Sequence, residues 1–231
     1  MNKRDLLRGL RATQTPERKR ATAYHEAGHA AMQFMFCNHP NIEYIDMRGN
    51  LNAAGCVWSR PFGLLNWIPE VPGSGHPRAL SLFHGKQLMM FYLAGYAAEH
   101  RLAPASSWHW LDEQMDMADC RWNRTDPRGR HDLSIAIELA KALHGTHGNA
   151  WRFLRQMAAW TDEALSHPRL WGVVVALAEQ LATAKKIGGN RVCRIMDGAW
   201  KEACLPYMEM GPKWRRRFSI SRPTAETENP R

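Results

Sequence analysis

A mainly α-helical domain with a small β element is the fold class that the sequence predicts, and three observations predict it. Apolar residues recur at three- and four-residue spacing through several long stretches, as one buried face of a helix requires. Only two short segments, 42–48 and 55–60, read as strands, with the polar run Gly49-Asn50-Leu51-Asn52 between them as a turn. The hydrophobic share, 45% of 231 residues, is that of an ordinary globular protein with a substantial core.

The elements follow in order. A first helix is expected over roughly 15–37, with Thr15 as its cap and Pro16 in its first turn; Tyr24, Ala27, Ala31, Phe34 and Met35 form its apolar stripe. Residues 61–78 carry four prolines and three glycines and read as a loop or flap, with Trp67 as an apolar contact. Helix returns at about 79–101 through Leu80, Phe83, Leu88, Phe91, Leu93 and Ala97. The stretch 103–130 is rich in Trp, Asp, Arg and Pro and reads as a loop with a short helical piece. A helix from Asp132 to Leu143 has Leu133, Ala136, Ile137, Ala140 and Leu143 on its inner face. Two more, about 149–166 and 169–185, are separated by His167-Pro168, because the residue before proline is pushed out of the helical region. Gly188-Gly189-Asn190 reads as a turn, and a last helix spans about 190–204. The domain is thus placed at 15–206, between a basic tail at 1–14 and a basic, disordered tail at 207–231.

The net charge of +9 is concentrated at the two ends, as Lys3, Arg4, Arg8, Arg11, Arg18, Lys19 and Arg20 and as Lys213, Arg215, Arg216, Arg217 and Arg222. Such ends suit solvated tails, and also nucleic acid, an anionic surface or an acidic partner. Five widely spaced cysteines without a C-x-x-C pair fit reduced thiols better than a disulfide framework or a cysteine-rich zinc site. No apolar run is long enough to cross a bilayer, and no secretory signal is apparent, so the expected location is the cytoplasm.

One pattern carries a specific chemistry. Within Tyr24-His25-Glu26-Ala27-Gly28-His29-Ala30, His25 and His29 are four residues apart. On a helix that spacing puts them about 40° apart in azimuth and roughly 6 Å apart along the axis, so both imidazoles can reach one Zn²⁺. Glu26, adjacent to His25, stands beside the metal without being forced to ligate it, as the base of a metal-assisted hydrolase must. A catalytic zinc normally takes three protein ligands and keeps one position open. No third histidine follows at a short spacing, and two distant carboxylates are candidates for the remaining place: Glu99 in Leu93-Ala94-Gly95-Tyr96-Ala97-Ala98-Glu99, and Asp132 at the head of Asp132-Leu133-Ser134-Ile135-Ala136. A plain helix cap would equally explain Asp132.

Taken together, these segments resemble the peptidase domain of FtsH-type zinc metallopeptidases, the proteolytic half of the ATP-dependent membrane AAA proteases. The segment 23–30 resembles the family's metal helix almost letter for letter. Ala53-Ala54-Gly55-Cys56-Val57-Trp58 resembles, more loosely, the edge strand beside its cleft; 93–99 resembles its glycine-and-Ala-Glu helix; His131-Asp132-Leu133 resembles the segment that supplies its aspartate ligand. Weaker likeness extends through 160–197. The resemblance implies that Asp132 completes the ligand set with His25 and His29, that Glu26 is the catalytic base, and that Glu99 bonds to a ligating histidine or stands as the alternative ligand. It also implies that Gly55, Cys56 and Val57 line an edge that aligns an extended peptide.

The chain departs from the family in two respects. It contains no G-x-x-x-x-G-K-[ST], so an ATPase half and a membrane anchor are not expected in it, and any unfolding of substrates falls to a separate ATPase partner. The connection from Glu99 to Asp132 is long and carries Trp108, Trp110 and Trp122, as a cover for the cleft, a contact surface or simple packing onto the core. The activity so implied is zinc-dependent endopeptidase cleavage of unfolded or loosely folded protein, by a chain that can also be a homo-oligomer. The alternative is an inactive peptidase-like binding protein whose basic tails engage nucleic acid or a partner protein.

Overall fold

The computed structural model describes residues 15–36, 42–48, 56–59, 78–104, 110–112, 132–144 and 147–202. The elements run α1 (Pro16–Phe36), β1 (Ile42–Asp46), β2 (Cys56–Ser59), α2 (Arg78–Leu102), α3 (Asp132–His144), α4 (His147–Ser166), α5 (Pro168–Thr183), β3 (Lys186–Gly188) and α6 (Gly189–Glu202). The expected mainly helical class with a small sheet is what the chain forms.

Local chemistry sets the helix boundaries. At the start of α1 the Arg18 N–H donates to Thr15 Oγ1 at 3.3 Å and the Lys19 N–H to the Thr15 carbonyl at 2.9 Å, with Pro16 in the first turn. Such a cap contributes about 0.5–2 kcal/mol. The break between α4 and α5 falls at His167, whose extended backbone (φ −66°, ψ 124°) is what the following Pro168 imposes.

The core is a helical stack in which α1 is buried between α2 and α5, α2 also meets α3 and α4, and α6 closes the far side against α5 and β1. Small residues make the α1–α2 contact close: Ala23, Ala27, Ala30 and Ala31 on α1 and Ala94 and Ala98 on α2 are all fully buried. At Gly28 the approach is tightest, since a Cβ there would lie 2.5 Å from the Ala94 carbonyl oxygen and 2.9 Å from Ala98 Cβ. Larger side chains, among them Met32, Leu93, Leu154 and Leu177, fill the space around this seam. Burial of each contributes about 1.5–3 kcal/mol.

The sheet has the order β2-β1-β3, with both pairings antiparallel. Ile45 is the central residue, paired with Val57 on one side and Ile187 on the other. The register slips between Ile42 and Tyr44, a bulge that bends β1.

The structure corrects the reading of 169–190. Helix α5 ends at Thr183 rather than 185, and Lys186–Gly188 forms a third strand where a turn at Gly188-Gly189-Asn190 was expected. Gly189 begins α6 directly, packed so closely on β1 that a Cβ would fall 1.7 Å from the Ile42 carbonyl oxygen. Strand β1 is also shorter than the expected 42–48. Met47 turns its N–H to the Lys185 carbonyl at 2.8 Å, and the Arg48 N–H bonds back to the Asp46 carboxylate at 2.9 Å. Of the 103–130 stretch, the described part includes helical residues 110–112, which matches the expected short helical piece. The 61–78 flap apart from the first residue of α2, both basic tails, Gly55, Trp108 and Trp122 lie outside the described residues.

Candidate metal centre

Helix α1 presents His25 and His29 toward α2 and the first residue of α3. Asp132 Oδ2 lies 3.1 Å from His25 Nε2 and 3.2 Å from His29 Nε2. One donor atom from each of the three lies within 4.8 Å of the others. For a tetrahedral ion with bonds of about 2.0–2.1 Å, neighbouring ligand atoms stand about 3.3 Å apart, close to both separations.

The far side of each imidazole is equally informative. His25 Nδ1 is 2.5 Å from Glu99 Oε1, and His29 Nδ1 is 2.7 Å from the Phe91 carbonyl oxygen. A carboxylate and a carbonyl only accept, so each Nδ1 carries the hydrogen and donates it. In the neutral rings both Nε2 atoms are then lone pairs, aimed with a third acceptor, Asp132 Oδ2, into one small space. Two extra protons or one cation would satisfy that set. The donors, their spacing and their fixed tautomers fit a divalent metal such as Zn²⁺.

Electrostatics express the same convergence. Burial opposes a charge on His25, but hydrogen bonds to Asp132 and Glu99, helped by the charges of Glu26 and Glu99, raise its pKa to about 10 when only protons compete. Burial also opposes ionisation of Asp132, yet the facing His29 and His25 hold it well below the usual carboxylate range. Glu26, 5% exposed, is pushed upward chiefly by burial and by Asp132, against the pull of His25, His29 and the Val57 N–H, which donates to its carboxylate. A buried carboxylate with a raised pKa accepts a proton more readily than an ordinary carboxylate and can give it back.

The seating of His25 depends on a residue whose role was not foreseen. A Cβ at Gly95 would meet the ring at 2.5 Å from both Cε1 and Nε2, so only glycine leaves room for it. Tyr96 closes the ring's edge, with centroids 5.2 Å apart at 84°. Tyr96 stacks in turn on Trp110 at 6.3 Å and 10°. Trp110 is buried and donates its Nε1–H to Asp162 at 2.9 and 3.1 Å. Of the alternatives for this tryptophan, packing onto the core is the one realised.

His25, His29, Glu26 and Asp132 are therefore brought together, and Glu99 stands behind His25, at Nδ1, rather than among the three converging donor atoms. Val57, half-buried on β2, reaches the centre through its backbone. Cys56 pairs with Asp46 in the sheet, and the described residues give nothing further on its side chain. The Phe91 carbonyl was invisible beforehand because backbone atoms carry no residue signature. Gly95 did have a signal, since an isolated glycine inside a helical pattern marks a close approach. No protein-family model matches the chain, and no curated protein is detectably similar to it.

Proposed function

We propose that the protein is a zinc-dependent metalloendopeptidase acting on unfolded or loosely folded polypeptides, with a peptidase domain resembling that of the FtsH type. The observation that carries this reading is the convergence of two Nε2 lone pairs and Asp132 Oδ2, each histidine held from behind by its own acceptor. His25, His29 and Asp132 would hold the ion, and Zn²⁺ supplies the Lewis acidity that activates water and polarises a peptide carbonyl. Glu26 takes the proton of the attacking water and delivers it to the leaving amine nitrogen, so that the amide C–N bond breaks and a carboxylate and an amine result. The Val57 N–H steadies the Glu26 carboxylate, and Glu99 keeps His25 in the tautomer that leaves Nε2 free. Strand β2 has Val57 beside the base, which suits an extended peptide laid along that edge; Gly55, Cys56 and Val57 are the residues proposed to align it. A folded substrate requires prior unfolding by a separate ATPase partner.

Glu26→Gln tests the reading, with zinc content and cleavage of an unfolded protein measured side by side. Retained zinc with hydrolysis lowered by about 10²–10⁴-fold is expected, the share typical of a general base. Equal cleavage by both proteins would remove Glu26 from the mechanism, and the loss of stoichiometric zinc binding in His25→Ala is required as well.

A further inference from the structure

On the other face of α2, a cavity of about 550 Å³ opens between the C-terminal turns of that helix, α4 and the start of α5. Its size is that of a small-molecule site. Two indoles line it: Trp110, buried, and Trp171, half-exposed, with Ala97 among the apolar residues. Three polar groups share the lining. The Arg101 guanidinium lies over the Trp171 ring, 4.9 Å from its centroid, and has no carboxylate partner among the described residues. His100 also lines the space, with its Nε2 buried and without a hydrogen-bond partner among the described residues. Asp162 contributes a carboxylate fixed in place by the Trp110 Nε1–H.

An apolar-walled space with a guanidinium and a fixed carboxylate complements a small molecule with an anionic end, a cationic end and an apolar body. We infer that this cavity binds a zwitterionic amino acid or very short peptide with a large apolar side chain. Its carboxylate meets Arg101, its ammonium meets Asp162, and its side chain lies between Trp110 and Trp171. The cavity is separated from the metal centre by the Trp110 and Tyr96 rings, so the inference stands independently of the proposed hydrolysis.

Calorimetric titration of the zinc-loaded full chain tests it with three probes. L-phenylalanine has both charges, L-phenylalaninamide lacks the carboxylate, and N-acetyl-L-phenylalanine lacks the ammonium. Saturable binding of phenylalanine is expected, with each analogue weaker by about tenfold, as the loss of one charge-assisted contact implies. Arg101→Gln, at an exposed position, should bring phenylalanine and its amide to equal affinity. Circular dichroism verifies that the variant is folded. Binding that survives removal of zinc by a chelator supports the cavity as the site. No saturable signal, no discrimination among the three probes, unchanged discrimination in Arg101→Gln, or a signal lost with the zinc would overturn the inference.

Discussion

Replacing Gly95 with alanine adds one methyl group and should uncouple metal affinity from fold stability. The new Cβ would lie 2.5 Å from His25 Cε1 and Nε2 and 2.7 Å from Cδ2. An ordinary carbon contact needs about 3.5 Å, so the ring must retreat by about 1 Å. It cannot do so freely, since Nδ1 is held at 2.5 Å by Glu99 and Nε2 stands 3.1 Å from Asp132. A retreat of that size breaks one of these contacts, and the loss of an orienting partner lowers metal affinity by about 10–100-fold. Stability moves less: alanine in a helix interior gains about 1 kcal/mol over glycine, while overpacking costs about 1–3 kcal/mol. Competition with a chromophoric chelator measures the affinity, and thermal unfolding of the metal-free protein measures the fold. If Gly95→Ala bound zinc as tightly as the parent, the ring would have slack that the geometry denies it, and the reasoning would fail.

Further outcomes follow from the same geometry. Glu99→Gln keeps an acceptor for His25 Nδ1–H but removes its charge, so zinc affinity should fall by about 10–100-fold with little change in fold; an unaltered chelator titration would refute the role of Glu99. Gly28→Ala presses on the Ala94 carbonyl and should destabilise by about 1–3 kcal/mol, whereas Gly172→Ala, with nothing within 4 Å of the new Cβ, should stabilise by about 0.5–1 kcal/mol in denaturant melts. In the metal-free protein the His25 pKa is raised from 6.5 to about 10, so its contribution to stability is complete below pH 6.5 and is lost as pH rises through 10. The Asp132 shift is downward, so its contribution holds above the ordinary carboxylate pKa and is lost only in strong acid. Because zinc displaces the His25 proton, zinc affinity should increase by about tenfold per pH unit within the window from 6.5 to 10; a flat profile between pH 7 and 9 would contradict that linkage.

Much of this centre was legible in the residues, and the limits of legibility have physical causes. The α1 register follows from a local period and a local cap, so His25, Glu26 and His29 were placed on one helix with the right phase. The choice between Glu99 and Asp132 was different in kind. These carboxylates are 74 and 107 residues from His25, and only the packing of α1 on α2 and of α2 on α3 decides which one meets Nε2 and which meets Nδ1. Strand β3 was missed because Lys186-Ile187-Gly188 offers a single apolar residue, and two adjacent glycines signal a turn. It exists as a strand because β1 is there to pair with it. The pairing of Trp110 with Asp162 spans 52 residues, and no periodicity in the intervening stretch could announce it.

The two imidazoles are oriented by acceptors of different heritability. Position 99 is open to mutation, so the basicity of His25 can drift or be engineered through one codon. His29 answers to a main-chain oxygen at position 91, which every amino acid supplies alike, so its orientation survives any substitution that leaves the trajectory of α2 intact. Selection, or a protein engineer, therefore has one imidazole that can be adjusted and one whose orientation is kept by geometry alone.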